Sequence, residues 1–156
     1  MKGIAELQAL LNQRTWDKDV LLWLGSEKSL LNAIASTKHV TLDLLDMFEL
    51  DNLPVDDDAT KHTLCERLRE RLKTIPKGPE HRTVLVVKSI GLLARYKVGL
   101  KDFYDWFVGS YTVVALLLEG LSERTTWPDE VRCDAKRLFR YFAEPGMVKE
   151  VYVANG

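Results

Sequence analysis

The chain has 156 residues, of which 46% are hydrophobic and 29% are charged, and its formal net charge is −1 at pH 7. This length fits one domain or at most two small ones, and this share of apolar residues excludes an intrinsically disordered chain. The near-zero net charge argues against general affinity for nucleic acids or acidic membranes.

Helical spacing of apolar residues dominates the first third of the chain. Gly25 is predicted to end the second helix of the chain. Ser26, followed by Glu27, is predicted to begin the third helix, and Thr41 is the predicted N-cap of the fourth. Together, spacing and start signals predict four short helices. Their apolar faces run from Ile4 to Leu11, from Val20 to Leu24, from Leu30 to Ala35 and from Leu42 to Leu50.

The middle and end of the chain show the same spacing. A strong helix follows the run of aspartates at 56–58, and Pro76, Gly78 and Pro79 then form the clearest connector. The apolar run 83–98 begins like a strand, but its length favours a buried helix. Further helices are predicted over 101–120 and from Trp127 onward, followed by a tail at 147–156 that is extended or forms a small strand.

These elements predict an all-α fold, a compact multi-helix bundle of about seven to eight helices with a short extended C-terminal tail. Residues 1–156 are interpreted as a single helical domain, with a candidate subdomain boundary near 76–80. The longest stretch without charge, Trp106 to Leu118, is shorter than the roughly 20 residues that cross a bilayer. We therefore expect no membrane contact and a cytoplasmic location, where Cys65 and Cys133 stay reduced.

Charge is unevenly distributed along the chain. Residues 41–60 carry seven acidic residues and no Lys or Arg, whereas residues 61–101 carry eleven Lys and Arg against three acidic residues. Such segments either face each other inside the fold or face a partner. The candidate binding residues are an acidic surface of Asp51, Asp56, Asp57 and Asp58, and a basic surface of Arg67, Arg71, Arg132, Lys136 and Arg140.

No catalytic, cofactor or metal motif stands out. His62 and Cys65 share a helical spacing, but a structural zinc needs four ligands and no second spaced pair accompanies them. The aspartates at 51–58 lack the glycine and the glutamate that a calcium loop requires. The nine glycines are scattered singly, without a phosphate-binding loop. We therefore expect a protein that is not an enzyme and needs no cofactor.

One segment resembles a known DNA-binding module. Between Leu42 and Leu68, a short predicted helix, Leu53-Pro54-Val55 and the run Lys61-x-x-Leu64-x-x-Arg67-Leu68 are similar to the helix–extended–helix SAP motif. The resemblance covers 27 of the 156 residues and implies nucleic-acid binding through the second helix. The connector departs from the motif, because it lacks a glycine and holds three aspartates that would repel DNA.

The pattern as a whole predicts a non-enzymatic protein–protein interaction module, such as a small regulator, adaptor, assembly domain or immunity-type inhibitor. Its partner would be another protein or a second copy in a homo-oligomer. The alternative is a nucleic-acid-binding helical protein that uses the SAP-like segment at 42–68. In a third interpretation, the acidic and basic segments pack together and say nothing about partners.

Overall fold

The protein is an α/β fold built on a five-stranded parallel sheet. The computed structural model describes residues 3–13, 19–48, 56–76, 80, 82–96, 98, 100–106, 112–118 and 150–153. Within these residues the strands are β1 Asp19–Leu24, β2 Lys38–Asp43, β3 Thr83–Lys88, β4 Thr112–Leu118 and β5 Glu150–Val153. The helices are α1 Ile4–Leu11, α2 Glu27–Ala33, α3 Asp57–Leu72, α4 Gly91–Arg95 and α5 Lys101–Trp106, and a 3-10 turn spans Leu44–Met47.

The all-α prediction is therefore wrong. Strand β1 replaces the predicted second helix, and the end of β2 with the 3-10 turn replaces the fourth. The predicted helix over 83–98 contains β3 and then α4, and the one over 101–120 contains α5 and then β4. Strands of a parallel sheet are buried on both faces, so their sequences are continuous apolar runs that periodicity cannot distinguish from buried helices.

Three predicted helices are confirmed, and two of them have a side-chain N-cap at their start. Helix α1 covers the first predicted span. Ser26 is the N-cap of α2, since its hydroxyl accepts a hydrogen bond from the Ser29 amide at 3.1 Å. Asp56 is the N-cap of α3 and accepts from the Ala59 amide at 2.7 Å. The helix predicted from Trp127 lies outside the described residues.

The sheet separates two apolar cores. Its first face packs against α1 and α2, and its second face packs against α3, α4, α5 and the 3-10 turn. Strand side chains alternate between the two faces, so that Val84 and Val86 of β3 lie in the first core while Leu85 and Val87 lie in the second. No helix in the described part of the chain is both long and apolar enough to cross a membrane.

The strand order is β2-β3-β4-β1-β5, which makes the chain change direction within the sheet. From β1 the chain passes through α2, on the first face, to the far edge at β2. It returns by way of α3 to β3 and by way of α4 and α5 to β4, on the second face. The carboxyl ends of β1 and β3 thus lead to opposite faces, with β4 between them.

Candidate functional site

The candidate site lies at the carboxyl edge of the sheet. In open parallel α/β sheets, ligands bind in the crevice beyond the carboxyl ends of the strands, where neighbouring connections leave toward opposite faces. Here that region lies over the end of β4, between the residues that follow β1 and those that end β3. Four polar side chains meet along this edge in two pairs: Glu27 with Lys88, and Asp43 with Ser89.

An ion pair bridges the end of β4. Lys88 Nζ, at the end of β3, lies 2.8 Å from Glu27 Oε2 in the first turn of α2. The two side chains are 28% and 30% exposed, so both remain in contact with solvent. Since β4 separates β3 from β1, this contact joins two elements that do not pair in the sheet.

A second polar pair joins β2 to β3. The Ser89 hydroxyl donates a hydrogen bond to Asp43 Oδ1 at 2.7 Å, and the same oxygen accepts from the Leu45 amide at 3.1 Å. Ser89 has φ 60°, in the left-handed region that non-glycine residues rarely adopt. Backbone strain at a non-glycine residue is concentrated at functional sites. The Asp43 contact gives a physical reason for a hydroxyl at this position.

Two substitutions at Ser89 separate the backbone from the hydroxyl. Ser89→Ala and Ser89→Gly both remove the hydrogen bond to Asp43, but only glycine adopts φ 60° without penalty. We therefore expect Ser89→Ala to unfold at lower urea concentration than Ser89→Gly, with a difference of roughly 1–2 kcal/mol in the free energy of unfolding. Equal midpoints for the two variants would show that residue 89 is not held in the left-handed region.

The loop between β1 and α2 is fixed by hydrogen bonds on both sides. The Gly25 amide donates to the carbonyl oxygen of Leu118, at the end of β4, at 3.1 Å. The Trp23 indole Nε1–H donates to Ser29 Oγ at 3.3 Å, and that hydroxyl donates to the Ser26 carbonyl at 2.8 Å. The loop is therefore held in one geometry beside the Glu27–Lys88 pair, which is what a binding loop needs.

The arrangement offers charge and hydrogen-bond donors rather than metal ligands. Lys28 is exposed and follows Glu27 in the first turn of α2, so the chain carries a second lysine next to the Glu27–Lys88 pair. Across the described ranges, the structure contains no group of three or more His, Cys, Asp or Glu side chains placed to hold a metal ion. Cationic and hydroxyl groups of this kind bind anionic ligands.

The residues predicted from the charge pattern lie elsewhere, on α3. Asp56 is the N-cap of this helix, and Asp57 and Asp58 are exposed in its first turn. Arg67 and Arg71 are exposed in its second half. Carboxylates at a helix start stabilise its positive end, so these aspartates have a structural role. Asp51 of the acidic surface and Arg132, Lys136 and Arg140 of the basic surface lie outside the described residues.

One charged contact anchors α3 to α5. Arg69 Nε lies 3.2 Å from Asp102 Oδ1, and this hydrogen bond raises the pKa of the Arg69 guanidinium. Burial, followed by the negative charge of Asp102, raises the pKa of the nearby Cys65 thiol. Cys65 is a free cysteine, packed at the edge of the second core. Its thiol is therefore protonated and slow to react near neutral pH.

The SAP-like interpretation does not match the local structure. Its first helix would begin at Leu42, but Leu42 and Asp43 end strand β2, and Leu44–Met47 is a 3-10 turn. Among the described residues of this segment, the second helix is present, with Lys61 to Leu68 in the middle of α3. The Leu53-Pro54-Val55 connector lies outside the described residues.

Sequence reasoning missed the residues of the carboxyl edge, although one signal was present. In the phosphate-binding loop, Gly-x-x-x-x-Gly-Lys-Ser/Thr follows a strand and opens a helix. Here Lys28-Ser29 opens α2 directly after β1, but glutamate precedes the lysine and the loop is much shorter. The dipeptide becomes informative only once Asp19–Leu24 is known to be a strand.

Comparison with known proteins finds no family model that matches this chain and no curated protein that is significantly similar to it.

Proposed function

We propose that this protein binds a small phosphate-bearing ligand, with nucleotides as the first class, at the carboxyl edge of its sheet. One observation carries the proposal. At the point where the chain reverses direction in the sheet, Lys88 reaches across the end of β4 to the first turn of α2, where Lys28 is also exposed. Lysine is a common phosphate-binding residue, and this edge is where parallel α/β sheets bind ligands.

The Glu27–Lys88 pair is compatible with this role because solvent reaches it. The two side chains are 28% and 30% exposed, and fully exposed ion pairs contribute only about 0–1 kcal/mol to stability. An anionic ligand that replaces the Glu27 carboxylate leaves the Lys88 ammonium with an oppositely charged partner. Glu27 also lowers the affinity for weakly charged anions, since a ligand must compete with its carboxylate for contact with Lys88.

Calorimetric titration of the full chain tests this proposal. We expect measurable binding of ATP or GTP, weaker binding of inorganic phosphate, and none of adenosine, because the phosphate supplies the contacts. Lys28→Ala is expected to weaken nucleotide binding about tenfold, the value of one charge-assisted hydrogen bond. Lys73→Ala is the matched control, since Lys73 is an exposed lysine at the end of α3. Absence of nucleotide binding, or equal losses in both variants, would contradict the proposal.

Binding of a protein partner on α3 is a second candidate function. The helix has Asp57 and Asp58 in its first turn and Arg69 and Arg71 in its last turn, and Asp57 precedes Arg71 by 14 residues. That separation is about 21 Å along a helix axis. Since the Debye length is about 8 Å at physiological ionic strength, the two ends do not neutralise each other. They thus present a charge-segregated surface of the kind that steers association.

The second candidate has its own variant. Proteins that copurify with the wild type from its native host should be lost from R67E/R71E and retained by Lys28→Ala. Loss of these proteins from Lys28→Ala, with retention by R67E/R71E, would show that the partner binds at the carboxyl edge of the sheet and not on α3. We also propose the cytoplasm as the compartment, because Cys65 is a free thiol and the chain has only one other cysteine.

A further inference from the structure

The outer edge of strand β2 is the most exposed apolar part of the described chain. Among the described residues, β2 pairs only with β3 and lies at one end of the sheet. Its first four residues, Lys38, His39, Val40 and Thr41, are all exposed. Two large hydrophobic side chains are exposed in the described ranges, Val40 in β2 and Leu45 in the 3-10 turn that follows it. Within those ranges, the edge thus combines backbone groups that pair with no second strand and an exposed apolar side chain.

This edge lacks the usual protection against strand pairing. Natural edge strands are commonly blocked by a central lysine, a proline or an inward-pointing charge. Here the middle of β2 is Val40-Thr41-Leu42, and Lys38 lies at its start. The first core contains no residue of β2, so the first face of this strand is not covered by that core. A second strand can therefore reach the edge without displacing any part of the fold that the structure describes.

We propose that a second copy of this chain pairs with β2 in antiparallel orientation, with Thr41 on the two-fold axis, to form a continuous ten-stranded sheet. A two-fold axis between antiparallel edge strands must be perpendicular to the sheet, so each face continues into the same face of the partner. Residues opposite each other then belong to the same face. The strand can therefore be centred on Val40 or on Thr41 with five residues of each copy paired.

Side-chain chemistry favours the Thr41 centre. In that register His39 lies opposite Asp43 of the second copy on the first face, and Val40 lies opposite Leu42 on the second face. Centring on Val40 would instead place Lys38 opposite the buried Leu42. An imidazole facing a carboxylate can donate a hydrogen bond to it, and an apolar pair directly across antiparallel strands is favourable, so the edge is complementary to itself.

This inference does not rest on the proposed ligand, because the pairing is centred on Thr41 at one end of the sheet and the candidate ligand site lies over the end of β4, with Asp43 bordering both. An interface of five residues from each copy belongs to the small, transient class. We therefore expect a monomer–dimer equilibrium, seen by sedimentation velocity as a rise in mean mass with concentration. A sedimentation coefficient of the monomer at every concentration would overturn the proposal.

Charge at Thr41 tests the register. Thr41→Lys and Thr41→Glu each place two like charges on the axis, so each variant alone should be monomeric. An equimolar mixture should recover a heterodimer in native mass spectrometry, since opposite charges then face each other. Thr41 is exposed, so neither variant should lose thermal stability. Dimers of either variant alone at wild-type levels would exclude this interface.

Disulfide trapping gives an independent readout. In a chain with Cys65→Ser and Cys133→Ser, Thr41→Cys should form an oxidised dimer, because residues opposite in an antiparallel pair have Cα atoms about 4.5–5.5 Å apart. Lys38→Cys is the matched control, since its two copies would lie about 20 Å apart along the strands. Cross-linking through Lys38→Cys at the rate of Thr41→Cys would show that the copies do not pair in this register.

Discussion

Trp23→Ala should destabilise the fold more than any other single substitution proposed. Trp23 lies in β1, which pairs with β4 on one side and β5 on the other, and its side chain is fully buried in the first core. Truncation of a buried Trp costs about 3–5 kcal/mol. Since small domains are stable by only about 5–15 kcal/mol, the loss should lower the urea midpoint sharply, as followed by circular dichroism.

Trp23→Phe separates packing from hydrogen bonding. The variant keeps an aromatic ring in the core but loses the indole donor to Ser29 Oγ. We expect a cost of about 1–2 kcal/mol, since one neutral hydrogen bond and part of the ring volume are lost. If Trp23→Ala were within 1 kcal/mol of the wild type, or if Trp23→Phe cost as much as Trp23→Ala, the assigned packing of β1 would be wrong.

The helices that were predictable carry their signals within a few residues. Helix α3 has an aspartate cap, an apolar stripe at Leu64, Leu68 and Leu72, and arginines in its last turn. Each of these signals acts locally, so sequence alone locates the helix. Helix α2 was located in the same way, by Ser26 at its N-cap.

The strands could not be located in this way because the sheet is assembled from distant segments. Every residue of β4, Thr112–Leu118, is buried, and its sequence shows no alternation. Strand β1 is rich in leucine, which is also a good helix former. What decides between helix and strand is pairing with partners such as Val84 and Val113, which are far apart in sequence but adjacent in the sheet.

Lys88→Glu should have the largest effect on ligand binding. The substitution removes a cation from the site and adds a third carboxylate to those of Glu27 and Asp43. Loss of one charge-assisted hydrogen bond costs about 1.5–3 kcal/mol, and the added negative charge repels a phosphate further. We expect at least a tenfold loss of nucleotide affinity by calorimetry. The free energy of unfolding should fall by only about 1 kcal/mol, since the pair is partly exposed.

The charge-swapped variant E27K/K88E is the matched control. It restores an ion pair across the end of β4 with reversed polarity, so stability should return to the wild-type value. Affinity should recover in part, because Lys at 27 returns a cation to the crevice next to Lys28. Full loss of binding in Lys88→Glu with no recovery in E27K/K88E would show that the position of the cation, rather than the net charge of the crevice, governs affinity. Unchanged affinity in both would remove Lys88 from the site.

The candidate site was less predictable than the helices, for a physical reason. Glu27 and Lys88 are 61 positions apart, and they meet only because β4 inserts between β1 and β3. Likewise, Ser89 reaches Asp43 only through the register of β2 with β3. Charge counts along the sequence pointed instead to α3, where the aspartates cap a helix. Pairs of polar residues at strand ends become visible only after the strand order is known.

Residue-resolved NMR of the full chain, titrated with ATP and magnesium, locates the ligand directly. We expect the largest amide shifts at Gly25 to Ser29 and at Ser89, together with a shift of the Trp23 indole N–H that donates to Ser29. Shifts confined to the charged face of α3, or a spectrum that nucleotide leaves unchanged, would contradict a ligand site at the carboxyl edge of the sheet.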